Sequence, residues 1–122
     1  MACENKVLSQ YQIEFDGTNY DVVSGSASLN FGGEVGDGET MTASGQYFPT
    51  TKILPGEFEA EVPVTAGFNI NDFRGRCGLL TIIDDLGGVF IMRTAIIVEA
   101  ISVKAGEGKA MLKWRGDPVE SL

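Results

Sequence analysis

The chain has 122 residues, of which 43% are apolar, 21% charged and 9% aromatic. That composition excludes a disordered or fibrous polymer and predicts one globular domain over residues 1–122. Seventeen acids against nine bases leave a net charge of −8, so an isolated subunit repels polyanions and phosphate-gripping nucleic-acid binding is disfavoured.

Histidine is absent, which removes the commonest general base, the usual zinc ligand and every histidine-based triad. Cys3 and Cys77 have no Cys-x-x-Cys or Cys/His spacing, so neither a metal site nor a disulfide follows from them, and a reducing compartment is the plain expectation. The N-terminal residues lack the apolar core of a signal peptide. The apolar stretch Val89 to Val98 is interrupted by Arg93 and falls far short of the ~20 residues of a membrane helix, so no membrane anchor is expected.

Along the chain, Tyr11 to Phe15 alternates apolar and polar residues, Asp16-Gly17 supplies a tight turn, and Tyr20 to Val23 returns, which predicts a β-hairpin. A further strand is expected over Ala27 to Phe31, ended by Gly32-Gly33. The segment Glu34 to Gly45 holds three more glycines with several Ser and Thr residues and reads as a long mobile loop leading into a strand near Thr40 to Phe48. Phe58, Ala60 and Val62 then alternate with Glu57, Glu59 and Glu61, which puts three carboxylates on the wet face of one strand.

From Ile70 to Cys77 the period changes. Asn69 or Asn71 can cap, and Ile70, Phe73 and Cys77 share helical spacing, so one short α-helix is expected, with Gly75 inside it. Leu79 to Ile83 and Gly88 to Val98 flank Asp84 to Gly88 as an apolar hairpin whose second arm is long and bent. A final hairpin joins Ala100 to Lys104 and Ala110 to Trp114 through Ala105 to Gly108. About eight short strands and one helix define an all-β chain, a sandwich or a partly closed barrel.

Charge is segregated. Residues 1–64 contain ten acids against Lys6 and Lys52, whereas residues 65–122 hold seven of each sign. Arg74, Arg76, Arg93, Lys109, Lys113 and Arg115 could meet the acidic half of a neighbouring copy in a head-to-tail contact, the alternative being ordinary surface charge. Catalytic readings fail on environment: Glu57, Glu59 and Glu61 share one wet face, so nothing separates them into acid and base. The glycine-rich run 32–38 lacks the lysine of a phosphate loop and places its own carboxylates where phosphate would sit. Neither Asp37 with Glu39 nor Asp84 with Asp85 follows a calcium-loop ligand ladder. No catalytic, cofactor or metal site is expected.

Phe15-Asp16-Gly17-Thr18-Asn19-Tyr20, Val23-Ser24-Gly25-Ser26, Leu29-Asn30-Phe31-Gly32-Gly33 and the region from Leu79 through Gly116-Asp117-Pro118 resemble, in order, the tail tube protein of Mu-like contractile-tailed phages. The resemblance spans roughly residues 11–118. It implies a β-sandwich-like structural subunit, not an enzyme, completed by sheet pairing between subunits in hexameric rings that stack into a tube inside a contractile sheath.

The implied partners are further copies, the sheath protein, and baseplate and tail-terminator proteins, with DNA passing through unbound; the implied location is the virion tail, assembled in the host cytoplasm. On that reading Glu57, Glu59 and Glu61 are lumen-facing candidates, because their face is unpacked and acidic. Glu34, Val35, Gly36, Asp37, Gly38 and Glu39 are candidates for contact between subunits or successive rings. The inner tube of a contractile bacteriocin or type VI secretion-like device is the alternative, and a monomeric acidic binding module the alternative from another class.

Overall fold

Alternating apolar and polar residues set off by glycine turns give eleven strands across residues 5–122, the part of the chain that the computed structural model describes. They are β1 (Tyr11–Phe15), β2 (Thr18–Tyr20), β3 (Ser28–Asn30), β4 (Gly33–Met41), β5 (Tyr47–Leu54), β6 (Gly56–Pro63), β7 (Gly78–Asp84), β8 (Val89–Ile97), β9 (Ser102–Val103), β10 (Lys109–Gly116) and β11 (Glu120–Ser121). The chain is all-β. Its main sheet runs β2-β1-β7-β8-β10-β6-β3, with β11 on β8 and β9 on β10, and it folds over on itself as a sandwich without closing into a barrel.

Strand β8 belongs to both layers. Its first half pairs with β7, placing Met92 opposite Leu80, and its end pairs with β10, placing Ile97 opposite Trp114. The bend expected in this arm falls at Thr94, which adopts a φ of 57°. A β-branched residue pays for that left-handed backbone in steric strain. The corner is held by Asp117 N–H donating to the Arg93 carbonyl at 2.9 Å. Gly116 is required beside it, since a Cβ there would lie 2.7 Å from the same carbonyl oxygen.

Between the layers, Ile13, Phe15, Leu80, Ile82 and Met92 meet Phe58, Ala60, Val62, Leu112 and Trp114. Trp114 is the hub, with ring centroids of Phe15, Phe58 and Phe73 at 5.7, 6.0 and 6.1 Å. The period-two pattern read in β6 is realised fully: Phe58, Ala60 and Val62 are buried, and the three glutamates point outward.

The first hairpin turns where expected, with Asp16 and Gly17 both left-handed at φ 54° and 87° and Phe15 paired to Thr18, but its return strand is Thr18–Tyr20, and Asp21 to Val23, expected to continue it, lie outside any strand. The expected α-helix does not form. Asn69 caps a single 3-10 turn at Ile70–Asp72 by accepting from Asn71 N–H, and Gly75, at φ 75°, turns the chain away before a second turn closes. Phe73 nevertheless reaches the core, because one turn suffices to aim it at Trp114.

Candidate assembly surfaces

The segment expected as a loop, Glu34 to Gly45, is instead β4 and the turn after it, paired along its length with β5 as a separate two-stranded sheet. Glu34, Val35, Gly36, Asp37, Gly38 and Glu39 therefore sit on a ladder, with a register shift between Gly36 and Gly38. Glycine can enter a strand when no packed face demands a side chain. That is the case here, since every residue of β5 is exposed and only Gly33 and Val35 of β4 are partly covered.

Cross-strand partners share a face, which puts Met41, Tyr47, Pro49 and Ile53 on one side of this hairpin and Val35, Phe48 and Leu54 on the other. Ile53 is 74% exposed and Met41 62%. At the root, Phe31 packs edge-to-face on Phe90 at 5.2 Å, and its carbonyl accepts from Val119 N–H at 2.9 Å. Sequence reasoning missed the apolar residues of β5. The strand expected near Thr40 to Phe48 is instead the end of β4, the turn after it and the start of β5.

The outer face of β6 carries a second charged feature. Antiparallel register sets Glu57 opposite Arg115, Glu59 opposite Lys113 and Glu61 opposite Met111. Arg115 contacts Glu57 through both Nη2 at 2.7 Å and Nε at 2.8 Å, and Lys109 reaches Glu61 at 3.5 Å. Lys113 turns to Glu99 at 3.4 Å, leaving Glu59 without an ion pair among the described residues. The face is thus a mixed ladder of opposite charges rather than an acidic stripe.

The expected basic surface is spent within the chain as well. Arg76 binds Asp16 at 2.8 Å, Arg93 reaches Glu120 at 3.5 Å, and of the six residues named only Arg74 has no ion pair among the described residues. Its guanidinium donates to Asn71 at 3.4 Å. Cys77 is exposed, and Cys3 lies outside the described residues.

The turn between β7 and β8 ties down the N-terminal approach. Asp84 accepts from the N–H groups of Leu86 and Gly88, at 2.9 and 2.7 Å. Asp85 accepts from Ser9 Oγ at 2.6 Å and Ser9 N–H at 3.2 Å, with Lys6 Nζ 3.3 Å away. The Ser9 hydroxyl, aided by that backbone N–H and Lys6, holds the Asp85 carboxyl well below the usual carboxylate range.

The described residues thus form a sandwich with ion-paired outer faces and a separate, exposed two-stranded hairpin. The family model for the phage tail tube protein matches residues 4–121, and the chain belongs to that family, whose members are structural proteins and not enzymes. No curated protein matches the sequence.

Among solved structures, the chain is similar to a component of the PVC sheath/tube terminator of an extracellular contractile injection system in its extended state, with a TM-score of 0.66, 13% identity and 93% of each chain covered. It is similar to a chain of the PVC sheath-tube complex in the extended state (TM-score 0.65, 15% identity, covering 93% of this chain and 88% of that one). A chain of the anti-feeding prophage tube-terminating cap also matches, at TM-score 0.63 and 14% identity, covering 92% and 87%.

Proposed function

We propose that copies of this chain form hexameric rings stacked into the tail tube of a contractile phage, through which genomic DNA passes. The observation that carries the reading is the β4–β5 hairpin, in a chain whose family forms tail tubes. A two-stranded hairpin with both edges free and both faces wet is marginal by itself. Covering Met41, Tyr47, Phe48, Ile53 and Leu54, each between 39% and 74% exposed, supplies on the order of 5 kcal/mol toward a contact. The residues Glu34 to Glu39 belong to the arm that meets an adjacent subunit or the next ring, and the outer strands of the sandwich pair with their counterparts around the ring, removing exposed edges.

In this reading the β6–β10 face lines the bore. Glu57 and Glu61 neutralise Arg115 and Lys109, and Glu59 adds an uncompensated negative charge, so a phosphate backbone meets no free cation and releases no counterions. DNA slides because the wall does not bind it. The sheath, baseplate and tail-terminator proteins are the partners along and at the ends of the tube, the product resides in the virion tail, and assembly takes place in the host cytoplasm.

A second reading, the inner tube of an injection device, is favoured by the likeness to extracellular contractile injection systems. Negative-stain microscopy of purified protein tests the common part: tubes of six-fold rings are expected, and deletion of Val35 to Gly38 should leave folded subunits that form none. Protein that stays monomeric at high concentration would overturn both readings. Phage tails carrying Glu57→Gln, Glu59→Gln and Glu61→Gln should eject DNA more slowly at low salt, and unchanged ejection would remove this face from the bore.

A further inference from the structure

The charge balance of the subunit points to a surface outside the hairpin and the ladder. Eight of the nine bases are held in ion pairs within the chain. Among the described residues the acids left without one include Asp21 and Asp72, and both line the same groove of about 240 Å³. Its floor is aromatic and apolar, built from Tyr20, Phe68, Phe73 and Val62.

Phe73 stacks on Phe68 at 5.7 Å and packs tilted against Tyr20 at 4.7 Å, so the walls are fixed by contact with the buried core. The Tyr20 phenol is raised above its ordinary value, chiefly by burial and then by the nearby Asp72 charge, which places a negative charge against an aromatic wall. A site with ring faces and two uncompensated carboxylates matches one kind of group, a cation on an apolar stem.

We propose that the groove lined by Tyr20, Asp21, Phe68, Asp72 and Phe73 docks an arginine- or lysine-bearing apolar segment of a partner protein of different sequence. The base nearest the groove, Arg76, lines the adjoining cleft with Asp72 but is held by Asp16 at 2.8 Å, so the cation is taken from a partner. Among the described residues Arg74 is the one base without an ion pair, and its guanidinium is turned to Asn71 at 3.4 Å. An arginine there lays its guanidinium over the half-buried Phe68 ring while donating to Asp21 and Asp72, an arrangement that neither group supports alone. The inference rests on the subunit's own side chains, and peptide binding reads it whether or not rings form.

The test titrates the full chain into the dye-labelled peptide Leu-Arg-Leu-Arg-Leu and into the same peptide with citrulline replacing arginine, following fluorescence anisotropy. The arginine peptide should bind at least about fivefold more tightly at low salt, with the margin shrinking as salt is raised. Replacing both Asp21→Asn and Asp72→Asn, exposed or half-exposed side chains whose loss leaves the core intact, should abolish the margin, and Phe68→Ala should weaken both peptides. Equal binding of the two peptides, or a margin that survives Asp21→Asn with Asp72→Asn, would overturn the proposal. So would a margin removed only by Glu34→Gln with Glu39→Gln, which would assign the cation to the hairpin. Loss of self-association in both Arg74→Gln and the double Asn variant, with no preference between peptides, would assign the groove to a second copy instead.

Discussion

Replacing Gly32 with alanine should redirect the projecting hairpin without unfolding the sandwich. Gly32 sits where the chain leaves β3 for β4, at a φ of 66°, and a Cβ there would lie 2.3 Å from the Pro55 carbonyl oxygen and 2.7 Å from that of Leu54. Both obstacles are backbone and cannot rotate away. Regaining an ordinary contact of about 3.4 Å requires the root to move by roughly 1 Å, which across the ~4.8 Å between paired strands is a rotation of about 12°. Along the ~30 Å of the nine-residue β4 that rotation carries the tip by roughly 6 Å, too far for a complementary contact to survive.

The left-handed backbone adds about 1–2 kcal/mol for any residue with a Cβ, so a fall in melting temperature of about 5–10 °C is expected while near-ultraviolet circular dichroism keeps its native form. Gly33→Ala is the control: φ is 90°, but the new methyl meets nothing within 4 Å. It should cost the backbone term alone and leave the hairpin aimed as before. Electron microscopy of the two variants decides the matter. Tubes from Gly32→Ala as abundant as from the parent, or equal loss in both variants, would refute the lever reasoning.

Trp114→Ala should destabilise the fold by about 3–5 kcal/mol in urea titration, since the indole is fully buried among three other rings. Trp114→Phe should cost about 1 kcal/mol or less, because the indole N–H has no hydrogen-bond partner among the described residues and its removal offsets part of the cavity left behind. Thr94→Asn should raise the melting temperature by a few degrees, as asparagine tolerates the φ of 57° that a β-branched side chain resists; a lower midpoint would show that no strain resides there.

Asp85 has a folded-state pKa below the ordinary value of 3.8, so its hold on Ser9 and Lys6 is complete above that value and is lost as pH falls through it toward the depressed one. Hydrogen exchange at Ser9 should therefore quicken below about pH 4 relative to the intrinsic rate, and Asp85→Asn should show the faster exchange already at neutral pH.

Local periodicity determined much of this protein without any knowledge of its fold. Alternation in Tyr11 to Phe15, Glu57 to Val62 and Ala110 to Trp114 marks strands because a pleated backbone sends neighbouring side chains to opposite faces, whatever the partner strand. Asp16-Gly17 marks a turn because left-handed backbone is a property of single residues.

Tertiary structure alone decided three things. Gly33 to Leu54 became a hairpin although no buried face imposed alternation on it, so its pattern carried no signal. The Ile70 helix stopped after one turn, where Gly75 leads the chain away at a φ of 75°, and Phe73 packs on Trp114 from that single turn. The acids of β6 and the bases of β10, 58 positions apart at Glu57 and Arg115, neutralised each other only once antiparallel register set them side by side. Charges add along a sequence, but they cancel in space, and spatial pairing depends on which strands become neighbours.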